Sequence, residues 1–494
     1  MQGALAAMVG VRVCVRICGV RSASDHCGNE CLDFPSWASA SWESLMLRGF
    51  RRSTHSPAAG TLPASVCANR ARGVGQEAIM ELRPFTGTYL TDPAAVWHDL
   101  LRRDPGVHYA EDLGMWLISR HEHVREAFAD PESFGNALTL APVYEMCPEA
   151  LEVLARLDVP PTTAAADAPV HTRTRRALRA AFAATAGRVE AWYGPIVRRR
   201  VEQLVSGLAR RRGEVVDLVP EFTAILPLLV VVDILGVPER DVSRIRGWAD
   251  GQIALVWGHP EPAEQVRLAR GLLEFWHYCQ DLVARRNAEG SGGDDFVSRA
   301  LRHRDGRDDV LTLTEVASMA FNLLVAGHET TAGLLAHALD QALSVPERWR
   351  WLAAVPERLP GFIEEVLRYG PAIDGWLRVT RRPVTIGGVA IPAGARCLLL
   401  IGAANRDPAV FTEPDRFDPA RPALRDHLSF GHGPHFCIGA ALARLEADIA
   451  LRRLAEAIPG LRLADGHVTA YKPNLAFRAH RMLPAVVDAD VRAV

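Results

Sequence analysis

The run SFGHGPHFCIGAALARLEA, Ser429 to Ala447, sets three glycines, two histidines and one cysteine directly ahead of an Ala/Leu-rich helical stretch. A free cysteine is ordinarily a small buried hydrophobe, and that is the reading for Cys147, Cys279 and Cys397. Cys437 is set differently. The helix that follows it offers unpaired N–H groups and the positive end of a dipole, both of which stabilise a thiolate. Gly431, Gly433 and Gly439 permit a tight path that carries backbone donors to the sulfur, and Phe430 is placed to shield it from water. A shielded, hydrogen-bonded thiolate is a good ligand for a soft metal. The same sulfur can be read as a nucleophile with His435 as its base, but no other part of a thiol-hydrolase site accompanies the pair.

The remaining composition narrows the setting. The chain has 494 residues, 49% hydrophobic and 23% charged, with a formal net charge of -2. That balance suits a soluble protein with a large core and excludes nucleic acid as main partner, since phosphate binding needs a basic field. Arginine carries nearly all the positive charge; Lys472 is the only lysine. Nine irregularly spaced cysteines do not form a secreted disulfide framework. No run approaches the roughly 18 apolar residues of a membrane span. Phe222–Val232 is too short, contains Pro227 and runs into Asp233, so it reads as a buried helix. Arg12 and Arg16 interrupt the N-terminal apolar run, against a signal peptide. The expected location is the cytoplasm, with no membrane partner.

Residues 1–79 show little periodicity and read as a poorly structured extension, or as sequence upstream of a start at Met80. Cys14, Cys18, Cys27 and Cys31 within it are a candidate tetrahedral zinc set, although their spacing is not that of a knuckle. Residues 80–494 read as one large domain, mainly α with a small β region. A hairpin is expected at 107–119 with its turn at Leu113-Gly114, and helices at 121–130, 171–184, 187–211, 239–257, 263–288 and 358–369. The longest helix, 312–343, starts at a Thr312/Glu315 capping box. Strands are expected in LRVTRRPVTIGG and RCLLLIG.

The centre of the long helix reads LLVAGHETTAGLL, Leu323 to Leu335. Gly327 in mid-helix is unfavourable by about 1 kcal/mol relative to alanine, so a flat cofactor or a neighbouring helix must come close there. A buried carboxylate at Glu329 needs a partner. Thr330 can bond back to a carbonyl one turn earlier and open the helix locally. A zinc-protease H-E-x-x-H fails because the position for its second histidine is Ala332.

With these residues in view, the chain resembles the cytochrome P450 family of haem-thiolate monooxygenases over about residues 81–487. FGHGPHFCIG matches the family's haem-binding loop F-G-x-G-x-[HR]-x-C-x-G, and AGHETT resembles its [AG]-G-x-[DE]-T-T segment. The resemblance implies a P450 fold holding haem b, with Cys437 as the axial iron ligand that promotes O–O cleavage. It also implies that Phe430, Gly431 and Gly327 lie against the haem. Glu329 and Thr330 would be the pair relaying protons during dioxygen activation. Glu365 and Arg368 of EEVLR match the family's E-x-x-R pair, whose third partner is Arg416 or Arg421. HTRTRR resembles the family's H-T-R-x-R-R helix, making His171 and Arg175 propionate donors together with Arg378 and His435.

The implied activity inserts one atom of dioxygen into an apolar or amphipathic organic substrate, by hydroxylation or epoxidation, in secondary metabolism. Electrons would come from NAD(P)H through a ferredoxin reductase and a ferredoxin, steered to Arg444, Arg452 and Arg453. Expected pocket walls are the 134–166 loop, Phe321–Ala326 ahead of Gly327, 372–376 and 474–476, with Asp374 facing a polar group of the substrate. Two other readings share the cysteine loop. One is a peroxide-dependent haem-thiolate enzyme, which would not need the Glu329-Thr330 relay; the other is a non-catalytic haem carrier or sensor.

Overall fold

The computed structural model describes residues 85, 87–290 and 292–488; the readings of residues 1–79 and of the four N-terminal cysteines lie outside the described residues. Helices of seven or more residues are labelled in chain order: α1 Pro93–Arg102, α2 His121–Ala129, α3 Pro148–Leu154, α4 Val170–Ala181, α5 Ala186–Ala209, α6 Ile225–Leu235 and α7 Val242–Trp257. They continue as α8 Pro262–Glu289, α9 Phe296–Arg304, α10 Leu313–Ala326, α11 Glu329–Leu343, α12 Pro346–Ala354, α13 Leu359–Tyr369 and α14 Ala440–Ala457.

Against this helical mass stands one sheet of five strands: β1 (Val107–Ala110), β2 (Met115–Ile118), β3 (Phe134–Gly135), β5 (Gly375–Thr380) and β8 (Arg396–Leu400). Their order is β1-β2-β8-β5-β3, with β2 and β8 parallel and the other pairs antiparallel. The expected hairpin is β1–β2, and its turn glycine Gly114 sits at φ 61°, a conformation that glycine adopts without strain. Smaller pairings join β4 (Val215–Asp217) to β10 (Pro484–Val486) and β9 (Arg462–Leu463), and β6 (Val384–Ile386) to β7 (Val389–Ile391).

α6 is the buried helix expected from its apolar run. Nine of its residues, Leu226 to Val232 with Ile234 and Leu235, are buried, and an element that is apolar all round has to be surrounded by protein. It packs against α5, α10 and α11. Among the described residues no helix is long and apolar enough to cross a membrane.

α14, the helix launched by the cysteine loop, packs on α5, α11, α12 and α13. Inside it Glu446 is 2% exposed, and its Oε2 has no hydrogen-bond partner. Burial pushes its carboxyl well above the ordinary carboxylate range, so the folded state keeps it neutral. Because the folded-state value is raised, the parent's stability is complete below the unfolded value, about pH 4.3, and declines as pH rises above it. Glu446→Gln should therefore melt at the same temperature as the parent near pH 4 and at a higher one near pH 8. Thermal melts across that range check it.

The expected helix at 312–343 is interrupted. The capping box is present, with Glu315 N 3.1 Å from Thr312 Oγ1 and Thr312 N 2.9 Å from Glu315 Oε2. But α10 ends at Ala326 and α11 begins at Glu329; Gly327 and His328 between them keep right-handed but distorted dihedrals, φ, ψ of -78°, -15° and -92°, -74°. The Thr330 hydroxyl donates to the Ala326 carbonyl at 2.7 Å, the back-bond expected to open this turn.

Candidate active site

The loop before α14 is shaped by backbone. Gly431 and Gly433 have φ of 70° and 72°, and a side chain on Gly433 would meet the Phe128 carbonyl at the end of α2 at 2.8 Å. Cys437 N donates to the Phe430 carbonyl at 2.9 Å, folding the loop back on itself. The sulfur is left accessible beside an exposed Phe436.

The loop is clamped from α13. Glu364 accepts from Arg444 at 2.6 and 2.9 Å and contacts His427 Nε2 at 3.0 Å, while the Arg444 guanidinium lies 4.5 Å over the Phe430 ring. Burial pushes the Glu364 carboxyl up, but His427 and Arg444 outweigh it and bring it down to about 2. One carboxylate thus ties together both flanks of the loop.

The thiol itself departs from expectation. Surrounding protein pushes it up; the N–H groups of Gly439 and Ala440 and the charges of Arg175 and Arg444 pull it down without cancelling that rise. Helix-terminal donors alone therefore do not ionise this sulfur. A bound metal cation would, since a coordinating thiol is deprotonated outright. The nucleophile reading also loses its base. Burial, followed by the charges of His171, Arg378 and Arg175, brings His435 down to about 3, and its Nε2 is engaged by Asn136 Nδ2 at 3.0 Å.

The four basic residues singled out from sequence do meet. The His171 and His435 rings stack with centroids 3.9 Å apart, and the buried Nε2 of His171 has no hydrogen-bond partner. Arg175 donates to the Phe436 carbonyl beside Cys437. Arg378, 2% exposed, donates to the Leu377 carbonyl at 2.9 Å, stands over the Phe128 ring at 5.1 Å, and is pushed down to about 10 by burial. Asp167 acts electrostatically on Arg378 and His171, but its oxygens are taken by Asn136 N at 3.2 Å and Nδ2 at 2.8 Å. Crowded bases with an orphaned imidazole nitrogen call for added negative charge. This donor set, next to an accessible sulfur, fits a haem: two carboxylates for the bases and a metal for the thiol. Sequence reading missed Asn136, which carries no motif, and the role of Asp167.

At the end of α10, Ala326 is exposed within a helix that is otherwise largely packed, and Val325, Gly327 and Thr330 are partly exposed. A side chain at Gly327 would meet Val231 Cγ2 of α6 at 3.0 Å, so the need for glycine there comes from helix packing. Glu329 is 8% exposed, with the amine of the lone lysine, Lys472, 3.8 Å from its Oε1. That partner is 143 positions away in sequence and could not be read from it.

The E-x-x-R pair is fully buried. Arg368 Nε and Nη2 each lie 2.8 Å from a Glu365 oxygen, and both side chains are 0% exposed. The third partner is Arg421, whose buried Nε is 3.5 Å from Glu365 Oε1; the Arg416 side chain is solvent-exposed, and only its carbonyl meets Arg368, at 3.3 Å.

Several expected pocket and surface residues have other duties. Phe321 is core, packed against Phe275 and Trp276. Leu475 and Ala476 are buried, and Asn474 Oδ1 accepts from the N–H groups of Ala476 and Phe477. Asp374 is fully buried and ion-paired with Arg478, so it faces no substrate. Arg444 is committed to Glu364, Arg452 to Asp448 and Arg453 to Glu202, which neutralises the steering patch expected there.

Comparison with known proteins agrees with this geometry. The family model described as Cytochrome P450 matches residues 357–456. Cytochrome P450 107B1 of Saccharopolyspora erythraea is 38% identical over 374 residues, covering 74% of this chain and 87% of that one. The cytochrome P450 monooxygenase PikC of Streptomyces venezuelae is 34% identical, covering 82% and 94%. Among solved structures, cytochrome P450 CREJ in complex with (4-ethylphenyl) dihydrogen phosphate superposes with a TM-score of 0.77 at 32% identity, over 82% of this chain and 99% of that one. A mainly helical body, a glycine-shaped cysteine loop and likeness to such enzymes over 74–82% of the chain agree on one conclusion: this chain belongs to the cytochrome P450 family and is a monooxygenase of the haem-thiolate type.

Proposed function

We propose that the chain binds haem b through Cys437 and hydroxylates or epoxidises an amphipathic product of secondary metabolism. The observation that carries the reading is the cluster of His171, Arg175, Arg378 and His435 beside the accessible Cys437 sulfur. Haem, when bound, supplies reductive activation of dioxygen. The chain's own residues do the rest. Arg175, Arg378 and the free Nε2 of His171 orient the cofactor through its carboxylates. Phe430, pinned under Arg444 and accepting from Cys437 N through its carbonyl, braces the loop that carries the sulfur.

Thr330 holds its hydroxyl at the opened turn, and Glu329 exchanges protons with it while Lys472 compensates the buried carboxylate. The partly exposed Val325 and Ala326, with Trp376 stacked on Trp257 at 5.6 Å, favour an apolar body on the substrate. Similar proteins include 6-deoxyerythronolide B hydroxylase and mycinamicin IV hydroxylase/epoxidase, and hydroxylation or epoxidation of an amphipathic organic substrate is the reaction we assign. We assign electron supply to a ferredoxin and its reductase in the cytoplasm. An acidic ferredoxin finds its complement on α4, where Arg176 and Arg179 are exposed and border the groove formed with Arg175 and Pro434.

Thr330→Ala tests the relay. Product formed per reductant consumed should fall by on the order of 10², the lower end of a general acid–base contribution. The reduced, carbon-monoxide-treated protein should keep its absorption band. Unchanged coupling removes Thr330 from the relay.

A further inference from the structure

The opened turn between α10 and α11 faces α7, and three metal-ligating side chains meet there. One nitrogen of His328 and one oxygen each of Asp250 and Glu329 lie within 4.8 Å of one another. His328 Nδ1 is 3.8 Å from Asp250 Oδ1. The imidazole is 1% exposed, and neither ring nitrogen has a hydrogen-bond partner; the buried Oδ1 of Asp250 has none either. The Ala224 carbonyl acts on the ring without reaching hydrogen-bond geometry. Arg246 and Lys472 reach only one oxygen each, Asp250 Oδ2 at 3.9 Å and Glu329 Oε1 at 3.8 Å, and neither meets the imidazole, so a buried ring with both nitrogens unmet stands beside two carboxylates with no donor or cation of its own. The failed zinc-protease motif explains why sequence did not suggest it. The third ligand comes from α7, not from position 332.

We propose that Asp250, His328 and Glu329 form a site for a divalent cation of the zinc type, entered from the solvent side through the partly exposed Asp250. One nitrogen and two carboxylate oxygens, with water in the fourth position, suit tetrahedral Zn²⁺. Bonds of about 2.0–2.2 Å require the donors to draw together to about 3.4 Å, which rotation of the two acidic side chains supplies. A cation there takes Glu329 away from Lys472, now 3.8 Å distant, and from the neighbouring Thr330 hydroxyl. Filling the site therefore inhibits turnover. That second half rests on the role proposed above for Glu329; the binding half does not.

The test titrates Zn²⁺ alone into the full-length, haem-loaded protein by calorimetry, with Asp250→Asn and His328→Gln alongside. The parent should bind one equivalent that both variants lose or bind at least about tenfold more weakly, the scale on which even outer partners of metal sites act. Zn²⁺ should then inhibit the parent but not Asp250→Asn, which turns over like the parent without zinc. Both variants retaining the parent's stoichiometry and affinity overturns the site. An equivalent lost in both variants, with turnover of the parent indifferent to Zn²⁺, upholds the site and overturns the role of Glu329.

Discussion

Cys437→Ser should fold, lose the red-shifted Soret band of the reduced, carbon-monoxide-treated protein, and make product no faster than a haem-free control. The loop's path is held by contacts that do not involve sulfur: Cys437 N to the Phe430 carbonyl, the Glu364–Arg444–His427 clamp, and two glycines at positive φ. The backbone should therefore survive the exchange. What is lost is the anion. A serine hydroxyl is a far weaker acid than a thiol and a poor soft ligand, and here the thiol itself is pushed up by its surroundings. Cys279→Ser and Cys397→Ser serve as controls. Burial drives Cys279 well up and Cys397 to about 12, so neither supplies a thiolate, and both variants should keep the parent spectrum. Absorbance of the reduced carbonyl form and a product assay decide the matter. A retained red-shifted band in Cys437→Ser overturns the ligand assignment.

Arg368→Ala should cost a large share of the protein's stability and lower its urea midpoint strongly. Removing one partner of a buried ion pair strands the other charge, at about 3–5 kcal/mol, against a total stability of about 5–15 kcal/mol. Glu365 and Arg368 are both fully buried, and Arg368 additionally serves the carbonyls of Asn405, Pro414 and Arg416 at 3.0, 2.9 and 3.3 Å. Those three contacts join α13 to the segment leading into the cysteine loop. The double variant Glu365→Leu/Arg368→Met removes the stranded carboxylate and should recover part of the loss. It cannot recover all of it, because the three carbonyls still lack a donor. Urea midpoints and haem retention of parent, single and double variants check both statements; a double variant no better than Arg368→Ala would show that the carbonyl contacts, not the charge, dominate.

Elements with strong local signals were legible in the chain itself. Capping at Thr312, the glycine turn at Gly114, the apolar run of α6 and the cysteine loop each arise from chemistry within a few residues. The central helix shows the limit. Thr330 was readable as a residue able to open a turn, yet that the opening would split 312–343 into two helices depends on how α10 and α11 pack. Asp374, expected to face the substrate, is instead ion-paired with Arg478, a residue distant in sequence.

Local order thus settled that the protein is helical and that Cys437 stands apart from the other cysteines; that His171, Arg175 and Arg378 accompany it was implied by the family resemblance, because they lie on other elements of the chain. Tertiary packing alone decided which charges are spent on one another. Lys472 with Glu329, Arg421 with Glu365, Arg453 with Glu202, and Asp250 facing His328 are meetings between segments brought together by burial of apolar surface. That force is non-directional and leaves no periodicity in the sequence to announce which polar groups it will trap side by side.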